Sequence, residues 1–361
     1  MFEPQFAITA AMATSLMAIE ADRQTILELP VNVEVLAGLR ETARLVATHY
    51  STQIEGNRLT QAQVAEVLAG GHFPGRERDE DEVRNYYLAL ERIEALAAEP
   101  GPIGEAELRR IHGLGYAGKA AGTTYREGRN VIRDAATGRI VYMPPEAGDV
   151  PGLMAELFSW INGQISAREL PAPIIAAIAH YQYATVHPYF DGNGRTARLL
   201  TTLILHRTGY GLKGIYSLDE HYARDLPAYY EALTVGPSHN YYMGRAEADI
   251  TAFVDYFCRS MADALGAVRA RCAEVRKARL VGRDDAATLR SLDPRRRRLL
   301  ELFRAQTEAT SAEMATQLGL SARTVAGLCR TWVADGFLEI HDPARKSRTY
   351  RLGAAYTRLI D

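Results

Sequence analysis

The run His187-Pro188-Tyr189-Phe190-Asp191-Gly192-Asn193-Gly194-Arg195-Thr196-Ala197-Arg198 constrains this chain more than any other stretch. An Ala- and Ile-rich segment, 174–186, precedes it, and the apolar run Leu199-Leu200-Thr201-Thr202-Leu203-Ile204-Leu205 follows. The pattern predicts helix, tight loop, helix, with the first helix buried. A tight loop opening onto a helix presents unpaired backbone N–H groups, which favour anions. Gly192 and Gly194 let the backbone turn sharply and approach a phosphate. Arg195 and Arg198 stand three apart and so share a helix face. Asp191 suits the magnesium that accompanies a nucleoside triphosphate. His187 can take a proton near neutral pH, although its place at a helix C-terminus favours the protonated form. Together these parts predict transfer of a phosphate-containing group to a hydroxyl.

At 361 residues the chain suits two or three domains, and 47% hydrophobic residues support a sizeable core. The formal net charge of −2 argues against a globally basic nucleic-acid binder. Charge is uneven: residues 281–361 hold 14 Lys/Arg against 10 Asp/Glu, and residues 1–280 hold 28 against 34. Cys258, Cys272 and Cys329 are too few and too scattered for a disulfide framework or a zinc site. The start lacks a basic targeting region and no apolar run approaches membrane-spanning length, so the expected location is cytoplasmic, with no membrane partner.

Helical spacing predicts helices over 7–27, over 33–55 with Asn32 as cap, over 59–70 with Thr60 as cap, over 82–97, and over 103–113. Glu55 falls near a helix C-terminus, where the macrodipole disfavours a carboxylate, so it should seek a cation. Val131-Ile132, a turn at Thr137-Gly138 and Ile140-Val141-Tyr142-Met143 predict a hairpin. Further helices are expected over 150–163 and 249–279. His180, on the helix before the loop, is expected to be a satisfied core residue.

The run 187–198 resembles the signature of Fic domain proteins, His-Pro-Phe-x-Asp-Gly-Asn-Gly-Arg-x-x-Arg, departing only at Tyr189, a packing position where Phe is usual. The segment Ser51-Thr52-Gln53-Ile54-Glu55-Gly56 is similar to the family's inhibitory motif, Ser/Thr-x-x-x-Glu-Gly/Asn, placed upstream of the loop. The resemblance implies that Glu55 pairs with Arg198 and so keeps it from the γ-phosphate of ATP. It implies that the hairpin, with Ile140, Val141, Tyr142 and Met143, is a flap that holds a target segment by strand addition. It implies ATP as substrate with Mg2+ or Mn2+ on Asp191, phosphates cradled by Gly192, Asn193 and Gly194, and His187 as base. Arg195 would meet the β-phosphate and Arg198 the γ-phosphate. A Tyr-Tyr-x-x-Leu pattern maps the family's nucleotide-lining tyrosine to Tyr229, with packing between helices as the alternative. Asn240 is the nearest counterpart of a nucleotide-contacting Asn, without certain register.

The polar stretch 281–293 reads as a linker. Beyond it, helices are expected over 294–306, 311–318 and 322–334, then strands over 336–340 and 348–352 around a basic tip at 343–347. This pattern resembles a winged helix-turn-helix domain. It would set Arg323, Thr324 and Arg330 toward a DNA groove and Arg345, Lys346 and Arg348 toward phosphate, or serve protein docking or dimerisation instead.

The expected fold is mainly α: a Fic-type helical bundle with a β-hairpin flap, plus a small C-terminal winged helix-turn-helix domain. The expected domains are an N-terminal helical region, 1–100, a catalytic core, 101–280, and a final domain, 294–361. The expected activity is transfer of AMP from ATP to a Ser, Thr or Tyr hydroxyl of a protein, itself included, restrained by Glu55. A nucleotide-sensing DNA-binding regulator and a de-AMPylating enzyme stand as alternatives, and a homodimer is left open.

Overall fold

The computed structural model describes all residues except 1, 29–32, 120, 134–136, 237, 345–347, 358 and 361; for 33–35, 213 and 273–287 it describes the backbone alone. The expected cap Asn32 and the wing residues Arg345 and Lys346 lie outside the described residues. The chain divides into two compact units, Met1–Cys272 and Ala273–Asp361.

The first unit is helical. Its elements are α1 (Ala10–Glu28), α2 (Val33–Ile54), α3 (Gln61–Leu68), α4 (Glu77–Ala98) and α5 (Glu105–Ala117), then strands β1 (Ile132–Arg133) and β2 (Ile140–Tyr142). There follow α6 (Val150–Ala167), α7 (Ala172–Val186), α8 (Asn193–Arg207), α9 (Asp219–Arg224), α10 (Leu226–Leu233) and α11 (Thr251–Ser291), whose residues from 273 onward belong to the second unit. The stretch 281–293, expected as a linker, is therefore helical through Ser291.

Local chemistry sets the boundaries. Thr60 and Gln63 form a reciprocal capping box at the start of α3. Gly118 ends α5 in the left-handed conformation. The acidic run Asp79–Glu82, expected just ahead of a helix, lies in the first turns of α4, where carboxylates complement the dipole. Side chains all around α7 are buried, including Ile174, Ile178, His180 and Tyr183, so α7 is the central rod of this unit. Next to it, α8 buries Leu199, Leu200, Leu203 and Ile204 together with Arg195 and Arg198. The loop between these two helices thus hangs from the most rigid part of the core.

The second unit holds α12 (Pro294–Ala305), β3 (Ala309–Thr310), α13 (Ser311–Leu318), α14 (Ala322–Ala334), β4 (Leu338–Asp342), β5 (Thr349–Leu352) and α15 (Ala354–Thr357). Its antiparallel sheet has the order β3-β5-β4, so a third strand joins the expected pair. Leu299, Phe303, Met314, Val325, Trp332 and Phe337 make its own core.

Candidate functional site

His187 caps α7 in the left-handed conformation, at φ 50°. That is unusual for a non-glycine residue and needs fixing by its surroundings. Arg126 supplies the fixing. Its guanidinium, 4% exposed, donates to the carbonyls of His187 (2.9 Å), Gly128 (3.1 Å) and Pro145, and its amide donates to Pro188 O (3.0 Å). The His187 ring lies with Nδ1 3.4 Å from Ala184 O, an acceptor. A neutral imidazole donating from Nδ1 leaves Nε2 free to accept a proton. Burial, opposed by the Ala184 contact, pushes the His187 pKa down to about 4. The helix dipole was expected to favour the charged form, but desolvation outweighs it here.

The loop is tied by its own side chains. Asn193 accepts from Tyr189 N (2.9 Å) and donates to Tyr189 O (2.8 Å). The Tyr189 ring is buried and stacks on His112, with centroids 3.5 Å apart. The packing role expected of position 189 is therefore filled by tyrosine. His112 Nε2 lies 3.0 Å from Asp191 O and Nδ1 lies 2.8 Å from Thr123 Oγ1. Burial lowers its pKa to about 4, so it is neutral and donates once, to Asp191 O. Gly192 takes φ 75° as the cap of α8, and the Asp191 carboxylate accepts from its amide at 2.6 Å. Thr196 N donates to Gly192 O and closes the first turn. The amides of Asn193, Gly194 and Arg195 head that turn, where helix N–H groups lack internal acceptors.

Arg195 is 3% exposed, yet its Nε and Nη1 have no hydrogen-bond partner. Its nearest carboxylates, Glu82 (3.9 Å) and Asp191 (3.8 Å), are too distant for hydrogen bonds. Arg198, equally buried, is engaged through Nε and Nη2. Nε donates to Ser51 Oγ (2.8 Å), and Nη2 donates to Ser51 O (2.8 Å) and Glu55 Oε1 (2.9 Å). Burial opposes its charge, but Glu55, Tyr229, Asp219 and Tyr86 outweigh burial and raise its pKa. Glu55 stands directly after α2, and its Oε1 would lie 2.4 Å from a Cβ at position 194. Only glycine at 194 admits this approach. Ser51, Glu55 and Arg198 thus meet at the head of α8.

Tyr229 is buried, with its hydroxyl 2.9 Å from His180 Nε2, its ring stacked on Tyr222 and its phenol also in reach of Arg198. Its neighbour Tyr230 is the exposed one and donates to Ile54 O at 3.4 Å. The phase of α10 sets which of the two is buried. His180 is a satisfied core residue, with Thr201 Oγ1 on its other nitrogen.

The hairpin β1–β2 is antiparallel, with Ile140 and Val141 exposed on it. Tyr142 turns inward and donates to Thr185 O on α7 (2.8 Å). Met143 departs from expectation: its amide donates to His239 O (2.7 Å) and its carbonyl accepts from Tyr241 N (3.0 Å). Its backbone is spent on the chain's own 239–241 segment, which leaves Ile140 to Tyr142 as the strand. Asn240 caps the turn at Tyr242 N. Sequence reasoning missed Arg126, His112, Glu82 and Asp219, which stand outside the signature and reach the loop only through folding.

Residues 102–205 match the Fic/DOC family. Among curated relatives, "Protein adenylyltransferase Fic" of Drosophila willistoni is 30% identical over 199 residues, which is 54% of this chain and 38% of that protein. The Drosophila virilis protein of the same name is 34% identical over 166 residues, 45% of this chain and 33% of its own. The chain therefore spans well under half the length of the curated Fic relatives it matches. Among solved structures, a Fic family protein from Desulfovibrio desulfuricans G20 has TM-score 0.59 and 25% identity, over 98% of this chain and 99% of that one. A Fic domain containing signaling protein from Bacteroides thetaiotaomicron has TM-score 0.60 and 23% identity, over 73% of this chain and 97% of its own, a likeness of fold.

Proposed function

We propose that this chain is a protein adenylyltransferase restrained by Glu55. The observation that carries the reading is Arg195: a buried guanidinium with two unbonded nitrogens, at the head of a helix, beside a carboxylate. A buried cation with unsatisfied donors is costly unless an anion arrives to pair with it. A phosphate at the head of α8 would meet the loop amides and Arg195 together.

In this reading ATP lies along the loop. Neutral His187 takes the proton of a target hydroxyl on Nε2. The hydroxyl oxygen attacks the α-phosphorus, the bond from that phosphorus to the bridging oxygen breaks, and pyrophosphate leaves. Arg195 steadies charge on the departing β-phosphate, and Arg198 orients the γ-phosphate once Glu55 has withdrawn. Ile140, Val141 and Tyr142 hold the target's backbone as an added strand. Asp191 fits a divalent cation shared with phosphate: its carboxylate is half exposed, and Mg2+ accepts one protein carboxylate when phosphate and water complete its shell. Among the described residues no cluster of three His, Cys, Asp or Glu offers an all-protein metal cage. When bound, the cation would neutralise phosphate charge.

ATP labelled at the α-phosphate tests the proposal. The wild type should label itself weakly, Glu55→Gly strongly, and His187→Ala not at all. No label on Glu55→Gly with Mg2+ or Mn2+ present sinks transfer to its own hydroxyls.

For the second unit the reading is a winged-helix module. Arg323, Thr324 and Arg330 are exposed on and around α14, the face such a module would offer to DNA. A salt-sensitive gel shift lost on Arg323→Ala would bear this out, and its absence would favour docking to protein. Among the described residues no helix is long and apolar enough to cross a membrane.

A further inference from the structure

Arg198 has two carboxylates beside it, and only Glu55 belongs to the motif that the resemblance explains. The other is Asp219, the first residue of α9, whose Oδ1 lies 3.1 Å from Arg198 Nε. Asp219 is 5% exposed. A carboxylate buried so deeply needs partners, and it has them: Tyr86 OH donates to Oδ1 (3.4 Å) and Ser217 Oγ donates to Oδ2 (3.2 Å). Tyr86 lies on α4 and is itself fully buried. The Asp219 carboxylate is therefore held by α4 and by its own segment, although α9 itself also packs against α2.

The distinction matters when the restraint is lifted. Ser51 and Glu55 sit four residues apart, on the last turns of α2 and just beyond it, so they approach or leave Arg198 together. Their departure would leave a buried guanidinium without its Glu55 charge and both of its Ser51 acceptors. An unpaired buried cation is unstable and seeks another position. Asp219 remains as the counter-charge.

We infer that Asp219 is a positioning residue, which holds the Arg198 guanidinium by its Nε side so that, with Glu55 withdrawn, the other side stays aimed at the head of α8 to receive a γ-phosphate. This rests on the nucleotide-transfer reading above. The geometry suits it. A Cβ built at Gly194 would lie 2.4 Å from Glu55 Oε1 and 3.2 Å from Arg198 Nη1, so the Glu55 carboxylate and this end of Arg198 already occupy the space above the anion loop. Release of Glu55 opens that space, while Asp219 keeps Arg198 in it.

ADP lacks the γ-phosphate, so comparing ATP with ADP separates this role from a structural one. The test uses the full chain carrying Glu55→Gly and His187→Ala, which should bind nucleotide without turnover. Isothermal titration calorimetry measures ATP and ADP in the presence of Mg2+. Adding Asp219→Asn should weaken ATP by about tenfold, the worth of a charged contact, and leave ADP within about twofold. Tyr86→Phe, which removes the phenol hydroxyl that contacts Asp219 and also Ser51, should weaken ATP by about threefold with the same selectivity. It decides the matter if Asp219→Asn does not fold. Equal weakening of both nucleotides, or no change in either, overturns the inference and leaves the transfer reading intact. If the background chain binds neither nucleotide, that reading falls and the inference falls with it.

Discussion

Replacing Glu55 with Gln keeps the shape of the side chain and removes its charge, which tests the Glu55–Arg198 pair as the proposed restraint. The contact is a single hydrogen bond of 2.9 Å to a guanidinium that is almost fully buried, while three-quarters of the Glu55 side chain is out of solvent. Charged hydrogen bonds contribute about 1.5–3 kcal/mol net. The low figure would apply if solvent screening at the exposed quarter were strong. The larger penalty of orphaning Arg198 does not apply, because Asp219 stays 3.1 Å away and the Ser51 oxygens remain in reach. At about 1.4 kcal/mol per factor of ten, Glu55→Gln should speed AMP incorporation between roughly tenfold and 150-fold over the wild type. The assay is the initial rate of α-phosphate label entering the chain at saturating ATP. Glu55→Gly should be at least as fast, since it also clears the space above Gly194. Salt should change the wild-type rate little, because buried pairs are weakly screened. A Glu55→Gln rate equal to that of the wild type, with Glu55→Gly fast, would refute charge pairing and point to steric obstruction alone.

Two further outcomes follow from three desolvated histidines and from Arg126. His112 and His187 have pKa values lowered to about 4, and His180 to about 3, all by burial. The unfolded chain binds protons at these positions near pH 6.5 while the folded one does not, so their stability contribution is fully present above pH 6.5 and is lost as pH falls toward 4. The melting temperature of the chain should drop over that window, less steeply in His112→Gln, while labelling by Glu55→Gly should show no loss of a base near pH 6.5; a rate that halves there would place the His187 pKa at its ordinary value. Arg126→Met should leave the carbonyls of His187, Gly128 and Pro145 without their donor, cost about 3 kcal/mol in urea unfolding, and slow labelling by Glu55→Gly. Unchanged stability would show that these carbonyls find water instead.

The loop and its two helices were legible from residues 174–205 alone, because apolar runs, paired glycines and cap chemistry act over a few residues. The same holds for the cap at Thr60 and for the hairpin at 131–143. His180 was readable as a core residue because nothing beside it in sequence competes for its nitrogens. For Tyr229 the choice between the nucleotide site and packing between helices was not legible, since it depends on how α10 packs against the core. The linker expected over 281–293 rested on polarity, but a polar stretch can continue a helix, and α11 runs through Gly282 to Ser291, stopping just ahead of Pro294. The neutral state of His187 lay out of reach too: its dipole surroundings can be inferred from the chain, but its burial cannot.

By itself, then, the sequence determined the helix-loop-helix at 187–198, the residue types that handle phosphate, and the carboxylate at the end of α2. These depend on local propensity and on which atoms each side chain carries. The family resemblance already implied that Glu55 meets Arg198; the other meetings were decided only by the tertiary structure. It brings Glu55 across 143 positions to Arg198, sets Asp219 and Tyr86 behind that arginine, and leaves Arg195 buried with donors unpaired. Contacts between distant segments follow from how the helices stack, and no local pattern encodes the stacking. The chemistry of the site is a property of the motif, whereas the choice of partners for its two arginines is a property of the fold.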